Sequence, residues 1–243
     1  MSISGIDKVE HEEGRRIDDL DWDNLIILDA CRYDTYTHVF GETATRITLG
    51  SNTREFIQKT FSEGDWSDVV YVTGNPFFKQ SFFREETGRE VSQVFHEVFH
   101  TYETDWNKQY KTVLPESIVR DALTAEKLFP EKKKIIHFMQ PHQPFISDPD
   151  AGAGFDWLMS DGEEGSVWGK AMKSEISRER AVEGYRQNLR QVEEAVNRIS
   201  VELNGKTVVT SDHGNLLGEN GVYGHPRGLN AKVLREVPWD ELS

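Results

Sequence analysis

Two aspartates and a histidine in this chain have the residue types and the placement of ligands for a divalent metal. Asp212 and His213 stand side by side after a short β-branched run, Thr207 to Val209, which is typical of a buried strand. Asp29 ends a second apolar run, Leu25 to Leu28. Carboxylates and imidazoles bind zinc, manganese and similar cations. Because ligands of parallel sheets lie at the carboxyl ends of the strands, these residues predict a metal site at such an edge.

Three segments around these residues resemble the alkaline phosphatase/sulfatase superfamily. SDHGNLLGENG (211–221) is similar to its Ser-Asp-His-Gly signature with the Leu-Gly-Glu-x-Gly continuation, and NLIILDACRYD (24–34) resembles its first metal-binding strand. HFMQPHQPF (137–145) is similar to its segment ending Pro-His-x-Pro-Phe. The three occur in the order of that family, over roughly residues 21 to 239. The resemblance implies an α/β fold, a three-layer alkaline-phosphatase-like sandwich with a mostly parallel central sheet covered by helices on both faces.

The resemblance also implies a nucleophile that contacts the metal and opens a helix after the first metal strand. The corresponding stretch is TLGSNTREFIQKTF (48–61), where Thr53 immediately precedes a predicted helix and is our first choice, with Ser51 as the competitor. Helix amides and a metal would lower the cost of ionising the hydroxyl. Arg54 could hold the substrate's non-bridging oxygens, or be a solvated helix residue. The alternative for Thr53 is a helix N-cap with Glu55 nearby.

The sequence disfavours one branch of that family, the formylglycine sulfatases. They carry Cys-x-Pro-Ser-Arg or a close relative, and this chain has no such run. Its single cysteine, Cys31, lies two residues past Asp29 and fits a small buried filler. Phosphoryl chemistry with a hydroxyl nucleophile therefore fits better than sulfatase chemistry.

The metal set that the resemblance implies is complete for one ion and incomplete for a second. The first site consists of Asp29, Thr53, Asp212 and His213. His142 and His225 are available for a second metal, for the substrate's oxygens or for protonating the leaving group, but Gln140 stands where an acid would be useful. We expect one divalent ion and leave a second open, with zinc or manganese ahead of calcium or magnesium.

A second pattern points to a different enzyme class. His96-Glu97-Val98-Phe99-His100 matches the His-Glu-x-x-His pattern of zinc metalloproteases, in which both histidines share one face of a helix. The surrounding residues are dense in β-branched and aromatic types, which favours a strand. In a strand the two histidines lie about 13 Å apart, at ~3.3 Å per residue, too far for one ion. A third ligand of the Gly-x-x-His kind is also lacking, so we predict that this pair does not share a metal.

Hydrophobic periodicity predicts the elements that position these residues. Strands are predicted at 25–28, 67–72, 135–139 and 207–209, and helices at 115–129 and 178–203, the last with apolar residues three and four apart. Alternating strands and helices favour a mostly parallel sheet covered by helices. Residues 147–170, rich in Gly, Asp and Ser and containing Trp157 and Trp168, predict a surface excursion that could be a lid.

Composition narrows the class of protein. The chain has 243 residues, 37% of them hydrophobic, which suits one domain, predicted at 21–243 after a polar leader at 1–20. Its net charge of −14 disfavours nucleic-acid binding and fits an acidic protein. No apolar run suits a signal peptide or an integral membrane segment, and one cysteine indicates no oxidising compartment, so a cytoplasmic location is expected.

The expected function is metal-dependent hydrolysis or transfer of a phosphate ester, in preference to a sulfate ester, on a small-molecule substrate. The nature of that ester and a homo-oligomeric state stay open. Two alternatives remain: the zinc metalloprotease, and a catalytically inactive protein of the same fold that binds a phosphorylated or sulfated ligand.

Overall fold

The computed structural model describes residues 5–9, 14–153, 155 and 165–242. Alternating strands and helices make up this part of the chain. The strands are β1 (Asn24–Leu28), β2 (Ala44–Ile47), β3 (Val69–Thr73), β4 (Glu97–His100), β5 (Trp106–Asn107), β6 (Thr112–Val113), β7 (Lys133–Phe138), β8 (Thr207–Thr210), β9 (Leu216–Glu219), β10 (Val222–Gly224) and β11 (Glu236–Leu242). The helices are α1 (Tyr33–Phe40), α2 (Thr53–Phe61), α3 (Gln80–Thr87), α4 (Val91–Val94), α5 (Thr101–Thr104), α6 (Pro115–Leu128), α7 (Val167–Met172), α8 (Arg178–Ser200) and α9 (Lys232–Arg235).

Seven strands form the central sheet, in the order β2-β11-β8-β1-β7-β3-β4. The five strands from β8 to β4 run parallel to their neighbours. β11 alone runs antiparallel, to β8 on one side and to β2 on the other. The predicted mostly parallel sheet is therefore confirmed. The order also places β1 between β7 and β8, so the segments that follow these three strands meet at one edge.

The central strands are buried along their whole length because both faces of the sheet are covered. All residues of β1, β3 and β8 are buried, which is typical of strands in parallel sheets. Helices α1, α6 and α8 pack together as one group, and α2 packs against α3 as another. The sheet is the middle layer between helices, so the predicted three-layer α/β fold is confirmed.

The longest helix, α8, follows from one apolar stripe. The side chains that make this stripe are all buried: Val182, Tyr185, Leu189, Val192, Val196 and Ile199. The helix ends at Ser200, three residues before its predicted end at Leu203, which is also buried. The Ser177 side chain caps the helix by accepting from the amide of Arg180. The predicted helix at 115–129 is likewise present as α6, which has Pro115 in its first turn.

One predicted strand begins earlier than its apolar run because a buried ion pair neutralises a lysine. β7 begins at Lys133, and Lys134 is 1% exposed within it. The Lys134 Nζ lies 2.5 Å from Glu126 of α6 and 3.3 Å from the carbonyl oxygen of Pro130. A paired lysine of this kind can be buried, whereas an unpaired one would not be.

Two peripheral segments differ from what their polar composition predicts. The described part of the N-terminal leader packs on the domain, with Val9 and Ile17 buried and Lys8 bridging to Ala231. In the predicted excursion, Trp168 is buried against Phe145. Residues 154 and 156–164, including Trp157, lie outside the described residues, so the lid stays a prediction. None of the helices in the described ranges has the length and apolar character needed to cross a membrane.

Candidate metal centre and active site

The candidate site lies at the carboxyl edge of the four adjacent strands β8, β1, β7 and β3. Asp29 immediately follows β1, and Asp212 lies two residues beyond β8. His142 is four residues past β7, and Asn75 is two past β3. Ligands of open α/β sheets bind at such an edge. Four segments far apart in sequence therefore converge at one place.

Asp29, Asp212 and His213 form a buried cluster with the geometry of a metal site. All three have 0% exposure, and one ligand atom from each lies within 4.8 Å of the others. The His213 Nε2 is 3.7 Å from Oδ1 of Asp29 and 3.5 Å from Oδ2 of Asp212. The structure thus brings together the three residues that the sequence placed at strand ends.

Thr53 joins this cluster from the first position of α2. Its hydroxyl donates to Oδ2 of Asp212 over 2.8 Å and lies 3.1 Å from Nε2 of His213. The N-cap of α2 is Asn52, whose side chain accepts from the amide of Glu55, so the N-cap alternative for Thr53 is wrong. Capping leaves the first-turn amides of Thr53 and Arg54 as the candidates for binding an anion.

The electrostatics of the cluster favour a cation. Burial, together with the negative charge of Asp212, raises the pKa of Asp29 well above its usual range. Burial also raises the pKa of Asp212, although His137 opposes that shift. Two carboxylates confined without solvent are costly as a charged pair, and a divalent cation between them would remove that cost.

Three imidazoles at the site are bonded through the same ring nitrogen, Nδ1. Nδ1 of His213, His142 and His225 lies 2.7, 2.5 and 2.9 Å from the oxygens of Gly214, Gln143 and the Asn215 side chain, respectively. A ring that donates from Nδ1 carries its lone pair on Nε2, the arrangement of a metal ligand or a base. Burial lowers the pKa of His213 and of His142 to about 3 and that of His225 well below its usual value, so all three are neutral near pH 7. The three rings are adjacent, with His225 at 4.6 Å from His213 and 5.0 Å from His142 between ring centroids.

Two buried atoms at the site have no hydrogen-bond partner, and their chemistry shows whether a cation fits there. They are Oδ1 of Asp29 and Nε2 of His137, both in fully buried side chains. Buried polar atoms are normally satisfied, so these mark a place where another group belongs. An anionic oxygen and imidazole nitrogens are the donors that zinc or manganese takes. The residues therefore fit a divalent cation.

Sequence reasoning missed Asn75, His137 and Tyr71. The Asn75 amide donates to Oδ2 of Asp29 over 2.6 Å, and the Tyr71 hydroxyl lies 3.0 Å from Nδ1 of His137. His137 lies inside β7 with Nε2 at 3.9 Å from Asp29, and burial lowers its pKa to about 4. Only the position of Asn75 just after a buried strand could have indicated its role, because a lone asparagine before a proline otherwise predicts a turn.

Hydrogen bonds between side chains and backbone join the segments that follow β1 and β8, which carry Asp29 and Asp212. The Ser211 hydroxyl donates to the carbonyl oxygen of Leu28 and accepts from the amide of Cys31. The amide of Ala30, whose φ is 60°, donates to Oδ1 of Asp212 over 3.1 Å. A positive φ is costly for alanine, and here it directs an amide at the carboxylate of Asp212, a candidate metal ligand. On the opposite side the Arg46 guanidinium, 6% exposed, donates to the carbonyl oxygen of Ser211.

The structure does not direct two of the predicted catalytic side chains at the cluster. Arg54 is engaged by Glu85 and Glu86, so its guanidinium is already paired and the predicted role in holding substrate oxygens is not supported. Ser51 is 1% exposed and its hydroxyl contacts Glu55 and the 226–228 loop. Gln140 is buried with its amide on the carbonyl oxygen of Val113, where it supplies no carboxylate for a second metal.

The metalloprotease pattern does not form the helical arrangement that such a site needs. Glu97 to His100 are strand β4, paired in parallel with β3, as the composition predicted. The His96 ring packs edge-on to Phe129, and Nδ1 of His100 lies 3.0 Å from the Tyr102 hydroxyl. Within the described ranges, the group of three side chains that could hold a metal is the one at Asp29, and the 96–100 segment does not form the helical site of a zinc metalloprotease.

The fold is α/β, with a mostly parallel seven-stranded sheet covered by helices, and the Asp-Asp-His cluster lies at the carboxyl edge of that sheet. No family model matches the chain, and a comparison with curated proteins finds no significant match. Solved structures do match. The soluble domain of lipooligosaccharide phosphoethanolamine transferase A from Neisseria meningitidis aligns with a TM-score of 0.55 and 13% identity over 97% of this chain and 79% of that one.

Two further structures have a similar fold. The C-terminal periplasmic domain of phosphoethanolamine transferase EptC from Campylobacter jejuni aligns with a TM-score of 0.54 and 13% identity, covering 89% of this chain and 76% of that one. A zinc complex of the corresponding EptC domain from Escherichia coli aligns with a TM-score of 0.52 and 8% identity, over 90% and 72%. The chain spans 49% of the length of the integral membrane form of the Neisseria protein. At these identities the likeness establishes the fold.

Proposed function

We propose that this protein is a metal-dependent phosphate ester hydrolase or transferase with Thr53 as its nucleophile. One observation carries the proposal: the Thr53 hydroxyl lies within hydrogen-bond distance of both Asp212 and His213, at the start of a helix. A nucleophile, its metal ligands and a helix N-terminus in one place are the parts that phosphoryl transfer needs.

The metal would be held by Asp29, Asp212 and His213, with Thr53 Oγ1 beside them. When bound, a divalent cation in this set supplies Lewis-acid stabilisation of the phosphoryl oxygens and lowers the pKa of the adjacent hydroxyl. Asn75 and the amide of Ala30 hold the two carboxylates from outside, which orients them before any ligand arrives.

The chain's own residues provide the remaining steps. The Thr53 hydroxyl proton passes along its hydrogen bond to Oδ2 of Asp212, and Oγ1 forms a bond to phosphorus as the bond from phosphorus to the ester oxygen breaks. The departing alkoxide takes a proton from solvent and leaves as the alcohol. The first-turn amides of α2 face the charge that develops on the phosphoryl group. Water or an acceptor alcohol then attacks the phosphothreonine and regenerates the Thr53 hydroxyl. Because Nε2 of His142 and His225 carries a lone pair, these rings suit accepting the proton of that second nucleophile or binding a second cation.

The choice of phosphate over sulfate esters rests on the sequence and on the similar folds. The sequence lacks a formylglycine motif, and two of the similar structures are named as phosphoethanolamine transferases. A zinc-complexed structure of the same fold supports zinc as the first cation to test. The particular ester, the choice between hydrolysis and transfer, and the cytoplasmic location stay predictions.

The test is a substrate and metal panel on the purified chain. We expect chelator-treated protein to be inactive on p-nitrophenyl phosphate and bis-p-nitrophenyl phosphate, and zinc or manganese to restore turnover of at least one. Rapid acid quench and peptide mass spectrometry should locate one phosphoryl group on Thr53.

Two other results would each replace the proposal. Turnover of p-nitrophenyl sulfate alone would make the protein a sulfatase. Binding of metal and vanadate with no turnover of any ester would favour the catalytically inactive alternative, because the site would then be intact without its chemistry.

A further inference from the structure

We infer that Ser51 is a positioning residue that fastens the loop carrying His225 to the helix carrying Thr53. This inference rests on the proposed function for its catalytic consequence. The loop in question is residues 225–228, and we call Ser51 together with Glu55 the Ser51 clamp.

The clamp connects two segments that are about 175 residues apart in the chain. The Ser51 hydroxyl lies 3.0 Å from the carbonyl oxygen of Pro226 and accepts from the amide of Gly228 over 2.9 Å. Glu55 of α2 contacts the Ser51 hydroxyl at 2.8 Å and the Ser51 amide at 2.9 Å through the same oxygen, Oε2. Lys59, one turn further along α2, lies 2.7 Å from the other oxygen of Glu55. Ser51 is thus bonded to Glu55 of α2, and Glu55 is held in turn by Lys59 of the same helix.

The Ser51 hydroxyl both donates and accepts a hydrogen bond in this arrangement. A hydroxyl has one proton to donate, and a carboxylate is a stronger acceptor than a carbonyl. We therefore assign the Ser51 proton to Glu55, while the oxygen accepts from Gly228. The carbonyl oxygen of Pro226 is also reached by the amide of Leu229 at 3.3 Å. The Ser51 hydroxyl bonds to Glu55 and to the 225–228 loop, whereas the Thr53 hydroxyl bonds to Asp212 of the metal cluster, and this difference separates their roles.

The clamp acts on His225 because that ring is fixed from its other side as well. Nδ1 of His225 lies 2.9 Å from the Asn215 side chain, in the segment that follows Asp212 and His213. After the ring, the chain is held by Ser51 through the amide of Gly228, and the Arg227 guanidinium contacts Glu86 of α3 and Gln58 of α2. Without the Ser51 hydroxyl, the loop would keep the Asn215 bond to His225, the exposed Arg227 contacts and a longer contact of 3.4 Å from the Gly228 amide to Glu55.

The test compares Ser51→Ala with Ser200→Ala, a matched loss of a serine hydroxyl that donates to the carbonyl oxygen of Asn197 at the end of α8. We expect Ser51→Ala to keep the bound metal, since Ser51 is outside the ligand set. Amide hydrogen exchange at 225–228 should rise. Turnover should fall by about 10- to 100-fold, the cost of misplacing a group without removing it. Phosphorylation of Thr53 should still be trapped, and Ser200→Ala should match the wild type.

Glu55→Gln serves as the second variant if Ser51→Ala does not fold. It keeps the shape of the clamp and weakens its acceptor, so exchange at 225–228 should rise by a smaller amount. Adding Ser51→Ala to it should bring little further loss of turnover, because the two residues act as one unit.

Three results would overturn the inference. They are unchanged exchange at 225–228 in both variants, wild-type turnover in Ser51→Ala, and loss of the phosphoryl-enzyme in Ser51→Ala but not in Thr53→Ala. If the wild type turns over no ester, the proposed function fails, and the hydrogen-exchange comparison alone decides whether the clamp holds the loop.

Discussion

Two histidine-containing regions of this molecule carry similar ligand types and differ in what their backbone does with them. At 96–100 two histidines and a glutamate lie close in sequence, His96 just before the edge strand β4 and His100 at its end, and the two rings contact Phe129 and Tyr102, respectively. At the carboxyl edge of the sheet, Asp29, Asp212 and His213 come from strand ends up to 184 positions apart and form one buried cluster.

The comparison shows that proximity in sequence is a weak guide to a metal site. A strand spreads neighbouring ligands along its length, whereas parallel strands bring distant ligands to one edge. Burial adds to the difference. Asp29 and Asp212 have no contact with solvent, and the negative charge of Asp212 raises the pKa of Asp29 further. The following predictions test each side of this comparison.

The largest effect is expected for Asp212→Ala. It removes a ligand, the acceptor of the Thr53 hydroxyl and the acceptor of the Ala30 amide at once. Changes outside the ligand set already cost about 10- to 100-fold in metal affinity, so this variant should exceed that and lose turnover. Elemental analysis after dialysis measures the metal. Retention of wild-type metal content would mean that the cluster is not the metal site.

Thr53→Ala should abolish turnover while leaving the metal nearly intact. Removing a nucleophile costs at least about 10³-fold in turnover, whereas Asn52 still caps α2 and limits the stability loss to less than about 2 kcal/mol. Thr53→Ser keeps the hydroxyl and should recover much of the rate. Steady-state kinetics and thermal denaturation measure both quantities. If Thr53→Ala remains active, a metal-bound water becomes the candidate for the attacking group.

Asn75→Ala should have an intermediate effect, since it acts on Asp29 from outside the cluster. Loss of the 2.6 Å bond leaves the carboxylate free to turn, which should weaken metal affinity by about 10- to 100-fold. Competition with a fluorescent chelator measures this affinity. An unchanged dissociation constant would show that Asn75 only supports the turn after β3.

The smallest effect is expected for the double change His96→Ala and His100→Ala. Both histidines contact aromatic neighbours and lie on an edge strand, so metal content and ester turnover should equal the wild type. Peptidase activity should be absent before and after the change. Loss of one metal equivalent in this variant would restore the metalloprotease pattern as a site.

Much of this site could be predicted because the sequence states which residues end strands. Asp29 and Asp212 each follow an apolar run, and Thr53 precedes the turn of a helix, so their convergence needed only a parallel sheet. The partner of Arg54 could not be predicted, because an arginine on a helix surface can reach either a substrate or the nearest carboxylates. In the structure its guanidinium pairs with Glu85 and Glu86 of α3. The apolar run predicts a strand that begins after Lys134, because the partner that allows this lysine to be buried, Glu126, lies on another element.

The sequence by itself determined the alternation of elements, the sheet class and the principal metal-ligand candidates, because each depends on local periodicity and residue type. Tertiary structure decided which hydroxyl faces the cluster and which serves as a clamp, since Thr53 and Ser51 are two residues apart and have the same functional group. It also decided that Asn75 and His137 reach Asp29, because the strand order that makes β1, β7 and β3 successive neighbours is a property of the packed sheet. Contacts between elements depend on packing over the whole domain, and no single segment encodes them.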